Sequence, residues 1–227
     1  RQFWFGTDTM GRDIFACIWY GGRVSLAVGF LAAAISTAIA VVYGAVSGMA
    51  VPWLDTAMMR LTELFISVPS LLLTVFLQAF LGRTHVLSLA LVIGVTGWCG
   101  MAKVVRTEVR QLRQSGYVIA CRCMGGSFWR ILWRHLAPNF ASSILFMVVM
   151  SVRSAIVAES TLSFMGMGLP LETISWGSML ALSEQGLMRG AWWIILIPGA
   201  FLVLVLVCIT AIGGWLRRRF DRRQSNL

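Results

Sequence analysis

An all-α polytopic membrane fold is what the sequence predicts, on three observations. Hydrophobic residues make up 58% of the 227 and charged residues only 12%, with a mean hydropathy of +0.80. One soluble core of this size cannot bury so much apolar side chain. The apolar residues come in five long runs, and about 20 residues at 1.5 Å rise each cross the ~30 Å of a bilayer. The net charge of +10 is concentrated in two segments an even number of runs apart, as expected for loops on one side of a membrane. In a soluble chain this charge would suggest nucleic acid; here its position sets orientation.

Residues 1–13 mix Gly, Asp, Thr and aromatics and lack the short apolar core of a cleavable signal. The first run covers 24–48, where Gly29, Ala32, Ala33, Ser36, Ala40 and Gly44 are spaced to let neighbouring helices approach closely. A polar turn over 51–60 leads to a second span, 61–81. Pro69 lies inside it and removes a backbone hydrogen bond, which predicts a kink. The third span, 87–102, is short and interrupted by Gly94, Gly97 and Gly100, and a basic segment over 103–113 follows. The fourth and fifth spans cover 140–162 and 191–216. Between them SFMGMGLPLETISWGSMLALSEQG is expected to hold a short helix at the membrane interface.

Residues 117–139, YVIACRCMGGSFWRILWRHLAPN, form a polar island between the third and fourth spans. Two short helices, 118–124 and 128–135, are separated by Gly125 and Gly126, where the chain bends without a Cβ clash, and Pro138 ends the second. Phe128, Ile131 and Leu132 share one side of the second helix, while Arg130 and Arg134 reach polar surroundings. The island therefore reads as an amphipathic helix pair at a membrane face, with a helix resting on lipid headgroups as the simpler alternative.

Seven basic residues lie between Lys103 and Arg134, and Arg217, Arg218, Arg219, Arg222 and Arg223 cluster in the tail. The positive-inside rule assigns both segments to the cytoplasm, which puts Arg1 outside, Leu227 inside, and implies a preceding span. The five cysteines (Cys17, Cys99, Cys121, Cys123, Cys208) are scattered, and Cys121-x-Cys123 has no second pair with which to hold zinc. The sole lysine, Lys103, is not in a glycine-rich loop, and His85 and His135 fall on opposite sides of the membrane. No catalytic residue and no metal site is expected, so the chain reads as a transporter part and not an enzyme. An ion-coupled secondary transporter or channel would need charged groups near the midplane, and only Arg153 and Glu159 qualify. Six residues apart, they point about 120° from each other. Arg153, roughly 20 Å into the fourth run at helical rise, is expected to face the pore or a partner subunit.

Several segments resemble one family of transporters. FGTDTMGRDIF followed by GGRVSLAVG is similar to the lead-in and second span of the C-type permease subunit of dipeptide, oligopeptide and nickel ABC importers. Asp55, Met59, Arg60, Glu63 and Pro69 follow that branch's D-x-x-x-M-R-x-x-[DE] and proline pattern. Glu159 with STLSFMGMG, then SWGSML, WWIILIPG and IGG-x-LR, resemble its later signatures. In the island, Ala120, Cys121, Gly125 and His135 to Pro138 resemble the EAA loop, with Ile119 at the usual acid and Cys121 at the usual second alanine. The usual acids of the family ending are also replaced, by Gly214 and Arg219.

The resemblance runs from Phe5 to Asp221 and implies a type I ABC importer transmembrane domain, with five spans present and the family's first one missing. It divides the chain into an extracytoplasmic lead-in (1–22), a transmembrane domain (23–214) and a basic cytoplasmic tail (215–227). It also implies that Ile119, Ala120, Cys121, Arg122, Gly125, Arg130, His135 and Pro138 couple to an ATPase, with Pro69, Arg153 and Glu159 at the pathway or an interface. The implied partners are a B-type permease, two ABC ATPases that hold ATP and magnesium, an extracytoplasmic solute-binding protein and membrane lipid, with no nucleic acid. No cofactor is expected on this chain. The solute is expected to be a peptide, or nickel or another metal chelate, and the location a bacterial cytoplasmic membrane.

Overall fold

The computed structural model describes residues 3–82, 85–114, 116, 137–187 and 190–224. Their elements are α1 (Ile14–Met49), α2 (Pro52–Ser67), α3 (Ser70–Leu81), α4 (Val86–Thr96), α5 (Cys99–Arg113), α6 (Ala137–Phe164), α7 (Trp176–Leu187) and α8 (Trp193–Gln224).

The lead-in is a closed loop built by its aspartates. Asp8 accepts hydrogen bonds from the Met10 and Arg12 amides at 2.9 and 2.8 Å and pairs with Arg12 Nε at 2.7 Å. Gly6 and Gly11 take the positive φ values that the turn requires. Asp13 then caps α1 by accepting from the Phe15 amide at 3.0 Å. With that cap in place the helix begins at Ile14, well before the boundary expected at residue 23.

Helix α1 is the central post of the molecule. It packs against α4, α5 and α6, and it contributes to all three apolar clusters. The stripe of small residues explains how: Gly29, Ala32, Ala33, Ser36, Ala40 and Gly44 are all buried. At Gly44 the approach is closest, since a Cβ there would lie 2.5 Å from the Ala102 carbonyl oxygen and 2.8 Å from Val105 Cβ of α5. Gly44→Val should therefore force α1 and α5 apart, at a cost of about 1–3 kcal/mol typical of overpacking. A clearly lowered melting temperature in detergent is expected, and an unchanged one would show that this contact does not hold the helices together.

Two of the five expected spans are not single helices. The second breaks at Pro69, which caps α3, and α2 and α3 meet at 85°. The third breaks at Gly97 and Trp98, where α4 and α5 meet at 49°. Pro69 and Gly97 thus mark turns between two helices, whereas Gly94 lies within α4 and Gly100 within α5. Three helices, within α1, α6 and α8, are long and apolar enough to cross a bilayer, or up to five spans exist if each bent pair is one. The connection after α6 does contain a short helix, α7, but Trp176, Met179 and Leu182 bury it against its neighbours. The outer face of α8, with Val203, Leu204, Val207 and Ile212 each more than half exposed, is left for lipid or a partner.

Candidate translocation surface and charged latch

A cavity of about 410 Å³ opens between α1, α3, α4, α5 and α6. Ser36, Ser70, Thr74, Thr96, Ser151, Ser154 and Thr161 line it, together with Met101, Met147 and Met150. Hydroxyls pair across helices: Ser36 Oγ to Ser151 Oγ at 3.0 Å joins α1 to α6, and Thr74 Oγ1 to Thr96 Oγ1 at 3.1 Å joins α3 to α4. Among the described residues, no titratable side chain lines this space. Pro69 lies beside it, bordering a smaller cleft of about 330 Å³ that shares Ser70, Thr96 and Gly97.

A charged cluster holds the other end of α1. Asp55, in the first turn of α2, accepts both Nε and Nη2 of Arg106 at 2.5 Å, and Ser47 Oγ of α1 donates to it at 2.6 Å. Arg110 approaches at 3.4 Å, and Arg113 donates to the Met49 and Ala50 carbonyls that end α1, at 3.4 and 3.3 Å. Asp55, Arg106, Arg110 and Arg113 all lie outside the apolar runs 24–48, 61–81 and 87–102. A bidentate arginine on a carboxylate is among the stronger polar contacts available. The Arg106 hydrogen bonds, with help from Ser47, hold the Asp55 carboxyl down at about 2, and the same pair raises the Arg106 guanidinium. Asp55 stood out in the sequence as part of a motif, whereas Arg106 counted only toward orientation. The available signal was the i, i+4, i+7 spacing of Arg106, Arg110 and Arg113, one stripe on one helix face.

Glu159 organises the opposite end. It is fully buried and accepts from Ser25 Oγ at 2.9 Å, Ser163 Oγ at 3.0 Å and Ser160 Oγ at 3.4 Å. Ser25 Oγ in turn accepts from the Trp176 amide, and Ser163 Oγ from the Leu169 amide, both at 3.2 Å. One carboxyl group thereby ties α1, α6, the following loop and the start of α7. Trp176 adds a bond from its indole N–H to the Ile18 carbonyl at 3.0 Å.

Residues 40–226 match the family described as binding-protein-dependent transport system inner membrane component. The chain belongs to that family. This transport component is 37% identical to the dipeptide transport system permease protein DppC of Bacillus subtilis (strain 168), over 96% of this chain and 68% of that protein. It is 34% identical to the oligopeptide transport system permease protein OppC of the same strain, over 97% and 72%. A putative peptide permease protein of Brucella suis biovar 1 is 36% identical over 98% and 74%. Inward-facing structures of the MetNI methionine ABC transporter share the fold, at TM-scores of 0.73 and 0.68, with 16% and 18% identity over 91% of this chain and 97% of theirs.

The remaining expected site residues of this inner membrane component fall in different places. Ile119, Ala120, Cys121, Arg122, Gly125, Arg130 and His135 lie outside the described residues. Pro138 is in the first turn of α6, a position that tolerates its missing N–H. Arg153 is exposed and borders a groove of about 670 Å³ against α8, with Val203, Val207, Thr210 and Arg218. It does not line the hydroxyl cavity. Glu159, expected at the pathway or an interface, sits instead in the interior of this chain.

Proposed function

We propose that this chain is one of two membrane subunits of an ATP-driven ABC importer of peptides. The observation that carries the proposal is the 37% identity to a dipeptide permease along 96% of the chain. A homologous B-type permease would supply the other half of the pathway, two ATPase subunits would hold ATP and magnesium, and an extracytoplasmic binding protein would select the solute. In this reading the chain itself holds no cofactor, lies in the bacterial cytoplasmic membrane and ends in the cytoplasm. Residues 119–138 would dock on an ATPase, with Gly125 at the bend between two short helices. Closure of the ATPases would then displace α5 and α6, which flank that segment, and the Asp55 cluster would carry the displacement to α1 and α2. The exposed Arg153 is assigned to the face that meets the partner permease, where an intramembrane charge finds a counterpart.

Uptake by the reconstituted complex tests the reading. A labelled peptide should accumulate in proteoliposomes when the binding protein and internal ATP are supplied, and accumulation should survive a protonophore. Accumulation that follows the proton gradient and ignores ATP would replace it with an ion-coupled transporter.

A further inference from the structure

We propose that the groove between α6 and α8 is a binding site for one anionic phospholipid, with Arg153 and Arg218 on its phosphate and an acyl chain along the outer face of α8. The groove, of about 670 Å³, is lined by both arginines and by no acidic residue. Neither guanidinium has a carboxylate partner among the described residues. Two like charges in one groove repel, and Arg153 lies within an apolar run, where an unpaired arginine is costly. An anion shared by the two removes both penalties.

The register of the two helices sets the depth of the site. The Arg217 guanidinium lies over the Phe146 ring, 5.3 Å from its centroid, and a Cβ on Gly213 would lie 2.7 Å from Met150 Cε. The helices therefore run antiparallel, with Arg153 level with Thr210. Arg218 is then about eight residues, or ~12 Å at helical rise, nearer the tail. Two long side chains close that distance on one phosphate, Arg153 by laying its stem along the apolar wall. Trp215, 51% exposed, sits beneath the Arg219 guanidinium at 5.0 Å. An aromatic ring beside arginines at the end of a span marks the headgroup level, and Arg218 is there. In the other direction Val203 and Val207, 58% and 61% exposed, carry an apolar strip from that level into the hydrocarbon. Gly214 leaves the room between, since a Cβ there would meet nothing within 4 Å. The basic run Arg217, Arg218, Arg219, Arg222 and Arg223 draws anionic lipid to this end of the span, and the groove holds one molecule of it. Lipid thereby supplies the counterpart of Arg153 at the edge of the face assigned above to the partner permease.

The test uses the assembled complex in phosphatidylcholine vesicles that carry a small, equal fraction of either phosphatidylglycerol or phosphatidylcholine with a diazirine in one acyl chain. After illumination, labelled residues are mapped by peptide mass spectrometry. Phosphatidylglycerol should label the Val203 to Val207 turn at least ~5-fold more than phosphatidylcholine does. Arg153→Gln and Arg218→Gln should each reduce that preference to less than ~2-fold, while Arg219→Gln, which removes the same charge from outside the groove, should leave it unchanged. Gly214→Leu fills the groove with both arginines in place and suits a helix better than glycine, so it should abolish the labelling in a complex that still assembles. Equal labelling by the two lipids, or an Arg219→Gln effect as large as that of Arg153→Gln, would reduce the site to diffuse surface attraction and overturn the proposal. Absence of label from the unsubstituted complex, with assembly lost in Gly214→Leu, would also overturn it, because the groove would then be filled by the partner permease.

Discussion

Asp55→Asn is expected to reduce uptake at least ~10-fold in complexes that still assemble, because it leaves Arg106 and Arg110 facing a neutral amide. The carboxyl is held at about 2, against an ordinary 3.8; at ~1.4 kcal/mol for each pH unit, that difference stabilises the fold by roughly 2 kcal/mol. Loss of the pair frees α5 from the junction of α1 and α2, which is the junction proposed to carry motion from the ATPase side. The sign of the pH dependence follows from the lowered value. The contribution is fully present above the ordinary carboxylate range and disappears as pH falls from about 4 toward 2. Melting curves of the purified chain should therefore show this loss in the unsubstituted protein and not in Asp55→Asn. Arg106→Met should resemble Asp55→Asn, and exchanging the two charges should recover part of the lost uptake. Full uptake and unchanged melting in both single variants would remove the cluster from the transport mechanism.

Glu159→Leu should be more damaging still, and should act on folding instead of transport. Three serine hydroxyls lose their acceptor at once, and each buried donor left unsatisfied costs about 1–3 kcal/mol. Ser25 and Ser163 also accept from the Trp176 and Leu169 amides, so the disturbance spreads to the loop after α6 and to α7. Glu159→Gln keeps one acceptor oxygen and nearly the same shape, and rotating serines can meet its new donors. The expected result is a sharp fall in monodisperse protein for the leucine variant and near-normal recovery for the glutamine variant. If leucine is tolerated and glutamine retains stability but not uptake, Glu159 belongs to the pathway after all, and its interior placement was misleading about its role.

Several features were legible from residue order because they depend on local chemistry and on the bilayer. Apolar runs of sufficient length, the basic segments and the helical character of both follow from what hydrocarbon tolerates. The small residues of α1 announced a helix that others crowd, and α1 is the central post. Asp8, Asp13 and the glycines of FGTDTMGRD carried their own turn and cap, since the contacts span only two to four residues. Pro69 announced a disturbance but not its size: a kink and an 85° turn have the same local cause, and packing against α4 and α5 chooses between them.

Pairings between distant residues were not legible. Asp55 meets Arg106 across 51 positions, and Glu159 meets Ser25 across 134. Whether such groups meet depends on the rotation of each helix about its axis and on the breaks in the second and third spans. A change of one residue in register turns a side chain by about 100°. That is why Arg153 and Glu159 looked like equivalent intramembrane charges in the sequence. The fold sends one outward to the α8 groove and the other into a cage of serines. By itself the sequence determined a helical membrane protein of this transport family, because composition and motif are properties of single segments. Only the tertiary structure decided which hydroxyls gather around the cavity and which charges close the latch, because those are properties of helices placed side by side.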